Sequence, residues 1–283
     1  MRLHARFPAD NYIDLAARMT AIPTTPVAGP LEVQAPAWFI SDLHLTPGMP
    51  RTLAAFERVL ERAAMEARTL FILGDFFEFW VGDEETSSPF AARVATALRT
   101  LAGRGVPVYL MHGNRDFLLG KRFAKAAGAT LLPDPTVILC AGQRVVLSHG
   151  DMLCTDDERY NRFRRWTRKR WVQRVFLALP LSARLGVARR LRADSEAGRQ
   201  RQVDQGQPTH VVYGDTSPAA VTALLEASDA RLLVHGHTHR PARHQDAAGV
   251  RWVLTDWDLD GSQPRAAVLQ LDEGGFHVLP QTT

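Results

Sequence analysis

Cysteine is scarce in this chain. Two residues in 283, Cys140 and Cys154, cannot build a disulfide framework, and free thiols in a reducing compartment are the expectation. No apolar run reaches the roughly 18–20 residues that a membrane-spanning helix needs. The first residues lack a basic segment leading into a continuous apolar stretch, so a cytoplasmic protein without a secretory signal is expected. Internal repeats are not visible either. What remains is the make-up of a globular enzyme, 46% hydrophobic and 23% charged. It is long enough to bury a full core, as one large domain or one domain with an inserted subdomain.

One absence is local. Between Arg159 and Arg192 no acidic residue occurs, yet twelve Lys and Arg stand there. The other 22 of the 34 basic residues face 30 acidic ones. A net charge of +4 therefore combines an acidic body with one basic stretch, a pattern that speaks about partners rather than fold.

Residues 1–35 contain the breaker-rich run Ile22-Pro23-Thr24-Thr25-Pro26 and read as a poorly ordered extension, with the domain proper over 36–283. Trp38-Phe39-Ile40, Leu70-Phe71-Ile72-Leu73 and Val106 to Met111 read as strands apolar on both faces. Leu53 to Ala67 and Phe90 to Leu101 carry helical spacing between them. This β-α-β-α-β order predicts an α/β fold with a helix-covered sheet. A hairpin is expected over Thr136–Cys140 and Arg144–Ser148. From about 157 to 202 the pattern is helical, broken at Pro180 and Gly186. Further strands are expected at Arg231–Val234, Val250–Leu254 and Ala266–Leu271, the last turning back across Asp272-Glu273-Gly274-Gly275.

Five clusters follow five of these apolar runs: Asp42-Leu43-His44, Gly74-Asp75, Gly113-Asn114-Arg115-Asp116, His149-Gly150-Asp151 and Gly236-His237-Thr238-His239. Open α/β sheets place their crevices just past strand C-termini. Carboxylate, imidazole and amide groups are ligands for divalent ions such as Mn²⁺. On an extended segment Asp42 and His44 would point to one side, as would His237 and His239. Asp75 can bridge two ions, because a carboxylate offers two oxygens. Two ions about 3.5–4 Å apart can clamp a phosphoryl group for in-line attack by water. The chemistry expected is hydrolysis of a phosphate ester or anhydride.

In this order the clusters resemble the calcineurin-like metallophosphoesterase family, whose pattern is D-x-H, G-D-x-x-(D/E), G-N-(H/R)-(D/E), a lone His and G-H-x-H. The match spans about residues 37–245. The resemblance implies a β-sandwich flanked by helices, in α/β/β/α layers, with an inserted helical lid. It also implies two Mn²⁺ per chain, one on Asp42, His44, Asp75 and His239, the other on Asp75, Asn114, His149 and His237. The stretches Gly74–Asp83, His112–Phe123, His149–Asp157 and His235–Pro241 resemble more narrowly a branch acting on UDP-2,3-diacylglucosamine, peripheral to the cytoplasmic face of the inner membrane. For that branch water attack on the α-phosphorus gives UMP and 2,3-diacylglucosamine 1-phosphate, a step toward lipid A. Asn114, Arg115, His149 and His237 would then be catalytic. Asn114, Arg115, Asp157, Ser195 and His237 would touch substrate. Arg199 and Gln202 stand where the branch has Asn and Lys, and are taken as the contacts there.

Trp166, Trp171, Val175, Phe176 and Leu179 are among the apolar residues that interleave with the twelve cations. A lid gripping acyl chains with one face and an anionic membrane with the other fits that pattern. Ordinary packing onto the sheet is the rival reading. Asp116 and Asp151 are expected to orient neighbours, and His112 and His235 to support the motifs. Glu78 and Asp83-Glu84-Glu85 read as a solvated acidic loop. Another nucleotide-diphosphate substrate stays open as an alternative. A nucleic-acid role for the basic stretch is less favoured, since its Leu/Val/Phe interleaving is unlike a base-stacking platform. No obligate protein partner is evident.

Overall fold

The computed structural model describes residues 29–155, 158–206 and 215–281. Two six-stranded sheets face one another. Strands are numbered in chain order. The first sheet holds β2 (Ala37–Ile40), β3 (Thr69–Leu73), β4 (Val108–Met111) and β5 (Ala129–Leu132), all parallel, extended by antiparallel β11 (Ala267–Asp272) and β12 (Gly275–Pro280). The second runs β1 (Leu31–Glu32), β6 (Thr136–Cys140), β7 (Gln143–Ser148), β8 (Leu232–His235), β10 (Gly249–Val253) and β9 (Ala242–Asp246).

Strand periodicity builds the layers. Trp38 and Ile40 turn outward under helices α1 (Pro50–Glu66), α2 (Pro89–Gly103) and α3 (Lys121–Ala127), in one cluster with Phe56, Val59 and Leu98. Ala37 and Phe39 turn inward and meet Ile138, Val145 and Leu147 of the second sheet. Phe39, Phe71 and Tyr109 stack across neighbouring strands at 5.1 and 5.0 Å between ring centres. The outer face of the second sheet packs Val146 and Leu233 against Val221 and Leu225 of a helix at Pro218–Ala227. The expected α/β/β/α layering is thus present. Between β7 and that helix, α4 (Glu158–Thr167), α5 (Arg170–Leu177) and α6 (Leu181–Asp204) form the helical insertion, which makes the Pro218–Ala227 helix α7.

The structure differs from the sequence reading in several places. Leu31 and Glu32 pair in parallel with β6, so the folded domain begins inside the segment read as an extension. Residues 1–28 lie outside the described residues. Gly186 does not break α6, because a single glycine costs a helix only about 1 kcal/mol against alanine. Helices α3 and α7 and strands β5 and β9 were not foreseen. α3 has seven residues, too few to show a period, and β9 is an edge strand of sequence Ala-Arg-His-Gln-Asp with no apolar alternation.

Candidate metal centre

Because β2, β3 and β4 are parallel neighbours, their C-terminal ends lie side by side and release Asp42, Asp75 and Asn114 together. From the second sheet, parallel β7 and β8 end in register at Ser148 and His235 and release His149, His237 and His239. The loops are then tied to one another. Asp42 N–H donates to Gly74 O, His44 N–H to Asp75 O and Gly236 N–H to His149 O, at 3.0, 3.0 and 2.9 Å.

The side chains do not converge by strand alternation. Asp42, His44, Asp75, His237 and His239 all have positive φ, between 48° and 68°. These five are the bulk of the seven non-glycine residues in that region among the described ones. Each such residue costs about 1–3 kcal/mol and persists only where its surroundings hold it, a pattern typical of functional sites. Gly113 shows the same compression. A Cβ there would overlap the Asp75 carboxylate, so the Asn114 loop can approach only without a side chain at that position.

Two trios of ligand atoms result, Asp42–His44–His239 and Asp75–His149–His237, each with its atoms within 4.8 Å of one another. In the first, His44 Nε2 and His239 Nε2 are 3.3 Å apart, with Asp42 Oδ1 3.3 Å from His239 Nε2. In the second, Asn114 Oδ1 is 3.0 Å from His149 Nε2. Asp75 stands between the trios: Oδ2 lies 4.0 Å from His44 Nε2 and Oδ1 3.8 Å from His149 Nε2. One carboxylate therefore presents an oxygen to each side.

Supporting groups aim the imidazoles. His149 Nδ1 is 2.9 Å from Leu73 O, and His239 Nδ1 is 3.4 Å from Asp256. His44 Nδ1 faces Glu78 Oε2 at 3.3 Å, out of line for a regular hydrogen bond. In each case the Nε2 is left facing the centre, as metal-ligating histidines require. Ser41 Oγ–H and His237 N–H donate to Asp42 Oδ2 at 2.6 and 2.8 Å. Asp116 accepts from the backbone N–H of Phe76 and Gly113 at 2.8 and 2.7 Å, so it does orient its neighbours. His112, 2.6 Å from Leu119 O, and His235, 3.3 Å from Arg251, are structural.

Glu84 is exposed, as expected of a solvated acidic loop, but Glu78, Asp83 and Glu85 are not. Glu78 is buried and binds Arg115 Nη1 at 2.6 Å and Arg192 Nη1 at 2.9 Å. Asp83 accepts from Gly120 N–H and Arg122 N–H, Glu84 pairs with Arg184, and Glu85 accepts from Val81 N–H. Glu78 and Asp256 were missed as supporting groups. The last position of G-D-x-x-(D/E) was the available signal for Glu78, whereas nothing in the sequence marks Asp256.

Electrostatics at the centre call for a cation. Burial would push His149 down, but the Asp75 and Asp42 carboxylates outweigh it and raise its pKa to about 9. Burial works against ionisation of Asp42 too, yet the hydrogen bond and charge of His239 hold it well below the usual carboxylate range. Burial lifts Asp75, and it lowers His237 together with the positive His149. A proton on His149 thus supplies positive charge that a divalent ion would otherwise bring. The donor set, two carboxylates, four imidazoles and an amide oxygen, fits two hard or borderline ions. Binding at His149 must displace that proton, so affinity should rise with pH until it levels off near pH 9. Titration calorimetry with Mn²⁺ is expected to show about tenfold tighter binding at the His149 site at pH 8 than at pH 7, one proton being displaced there. Equal affinity at the two pH values would contradict it.

The insertion reaches the same loops. Arg164 Nε and Tyr160 O–H donate to Asp151 at 2.7 and 2.9 Å, and Arg168 donates to Gly113 O at 2.9 Å. Asn114 and Arg115 line the centre, and Arg115 N–H donates to Asp75 Oδ1 at 2.8 Å. Ser195 is exposed on α6. Asp157 and the side chains of Arg199 and Gln202 lie outside the described residues.

Comparison with known proteins agrees with this geometry. The family described as calcineurin-like phosphoesterase matches residues 35–241. A protein of Ralstonia nicotianae named UDP-2,3-diacylglucosamine hydrolase is 58% identical over 255 residues, covering 89% of this chain and 95% of the relative. Proteins of the same name from Aeromonas hydrophila and Pseudomonas savastanoi are 47% and 46% identical, covering 79% and 86% of this chain and 91% and 97% of the relatives. The chain therefore belongs to the calcineurin-like phosphoesterases, in the branch that these hydrolases form.

Proposed function

We propose that the chain hydrolyses the pyrophosphate bond of UDP-2,3-diacylglucosamine with two Mn²⁺, giving UMP and 2,3-diacylglucosamine 1-phosphate in lipid A synthesis. The observation that carries the two-ion reading is the Asp75 carboxylate, one oxygen toward each ligand trio. One ion would sit on Asp42, His44, Asp75 and His239, the other on Asp75, Asn114, His149 and His237. When bound, the pair supplies Lewis-acid polarisation of the phosphoryl oxygens and a nucleophilic water at neutral pH. The protein contributes the rest. Arg115, fixed by Glu78, offsets charge that develops on the α-phosphoryl group. Asn114, His149 and His237 place the reacting groups, and Asp157, Ser195, Arg199 and Gln202 are assigned to substrate contacts. The bond from the α-phosphorus to the bridging oxygen breaks, and that oxygen leaves with the sugar phosphate.

The acyl chains are assigned to the insertion, acting as a lid. Eight of the ten large apolar side chains that are exposed among the described residues belong to it, Trp171 at 58% and Val175 at 62% included. Ordinary packing onto the sheet does not account for such exposure. Seven of its cations, Arg162, Arg165, Lys169, Arg170, Arg174, Arg189 and Arg190, are exposed as well. No helix among the described residues is long and apolar enough to cross a membrane. Peripheral contact with an anionic bilayer, on the cytoplasmic face of the inner membrane, fits a surface of mixed apolar and basic character. Replacing Arg162, Arg165, Arg170 and Arg174 by Ser should sharply reduce sedimentation with anionic liposomes, and unchanged sedimentation would remove the membrane assignment.

Turnover in ¹⁸O-labelled water tests the reaction. Detergent micelles of UDP-2,3-diacylglucosamine with Mn²⁺ should release ¹⁸O-labelled UMP. Label in the sugar phosphate would refute attack on the α-phosphorus. Activity confined to a small aryl phosphodiester would refute the lipid substrate.

A further inference from the structure

Arg164, Arg168 and Arg192 turn inward from the insertion to loops that carry the ligand trios. A fourth inward arginine behaves differently. Arg184, at 2% exposure, ends farther along the loop that follows β3, around Gly82. Its Nη1 donates to Val81 O at 2.5 Å, its Nη2 to Glu84 Oε1 at 2.6 Å and its Nε to Leu179 O at 2.9 Å. One guanidinium thereby joins the α5–α6 turn, which contains Leu179, to a loop of the main domain.

The seat is shaped for this group. Gly82 has φ 147°, and a Cβ there would overlap Arg184 Nη1 and press on Leu177. An L side chain at this position is thus disfavoured both by backbone conformation and by space. The loop is itself held firmly. Asp83 accepts from Gly120 N–H, Arg122 N–H and Trp80 Nε1–H at 2.8, 2.8 and 3.2 Å. Trp80 N–H in turn donates to Arg115 O at 3.1 Å. An exposed ion pair with Glu84 alone would fix little. Two backbone carbonyls on opposite sides of a buried guanidinium fix a good deal more.

We propose that Arg184 is a positioning residue that seats the α5–α6 turn on the rim of the metal centre, and so sets preference for an acyl-bearing substrate over a small phosphodiester. The specificity half rests on the lipid reading above. Val175, Leu177, Leu179 and Val187, exposed on either side of the seat, form the apolar face whose placement it governs. The candidate ligands lie at strand ends of the sandwich, and Asp75, which shares the β3 loop with the seat, stands seven residues before Gly82.

The test uses Arg184→Ala, Arg184→Lys and Gly82→Ala in the full chain with Mn²⁺. Kinetics are followed on UDP-2,3-diacylglucosamine and on bis(4-nitrophenyl) phosphate, and trypsin cleavage at the exposed Arg170 and Arg174 is timed. For Arg184→Ala and Gly82→Ala, KM for the lipid should rise about tenfold with kcat changed by less than about threefold, the sign of lost binding rather than lost chemistry. Activity on the aryl diester should stay within about twofold. Cleavage in the insertion should quicken several-fold, reporting a loosened segment. Arg184→Lys should recover part of each effect, and with Gly82→Ala it carries the test if the alanine variant does not fold. Unchanged KM and unchanged cleavage would overturn the proposal, as would equal losses on both substrates. If the wild type does not turn over the lipid, the substrate reading and the specificity half fail together. Cleavage rates then decide the seat alone.

Discussion

Asp75→Ala is expected to reduce turnover at least a thousandfold, several kcal/mol of transition-state stabilisation being lost with the two ions. The reason lies in the position of one carboxylate. Its two oxygens face different trios, Oδ2 4.0 Å from His44 and Oδ1 3.8 Å from His149, so its removal would withdraw a ligand from both sites at once. The remaining groups form two sets with no shared anion between them. Oδ1 also accepts Arg115 N–H, so the loop carrying Asn114 and Arg115 loses an anchor. Substrate affinity should fall much less, because the acyl chains are assigned to the insertion. Asp75→Asn keeps one oxygen with lone pairs and should retain one ion rather than two. Steady-state kinetics with metal analysis of the purified variants reads both effects. Near-normal turnover in Asp75→Ala would contradict a bridging role.

Arg115→Ala should lower kcat by about 10²–10³, the usual effect of removing a preorganised charge from the place where charge develops. Here the metals should stay. The contact that ties this residue to Asp75 runs through its backbone N–H, which alanine retains, so two ions per chain are expected in the variant. That separates loss of a catalytic cation from collapse of the site. Glu78 would keep Arg192 as a partner, which protects its buried carboxylate from being left without a cation. Arg115→Lys should recover little, since a point charge on a flexible stem does not reproduce a guanidinium held by Glu78. Loss of metal from Arg115→Ala, or an unchanged kcat, would count against the assignment.

The convergence of the candidate ligands was legible in the sequence because each lies just past an apolar strand, and strand periodicity is a strong local signal. Parallel pairing of β2, β3 and β4, and of β7 and β8, then brings those ends together without further instruction. The backbone at the ligands was not legible. Asp42, His44, His237 and His239 were expected to converge by alternation, whereas each sits in the left-handed region, a conformation imposed by tertiary contacts that no local pattern encodes. Glu78 looked like a solvated acid for a similar reason. Its partners, Arg115 and Arg192, come from a different loop and from the middle of α6. The basic stretch was half read. Its exposed cations suit an anionic surface, but Arg164, Arg168, Arg184 and Arg192 point inward and fasten the insertion, which a count of charges cannot distinguish.

Asp75 is placed to join two metal sites. Anomalous diffraction at the manganese edge from crystals grown with Mn²⁺ would locate both ions. Two peaks about 3.5–4 Å apart, one at each trio with Asp75 between them, are the result expected. A single peak, or two peaks that do not share Asp75, would contradict that placement.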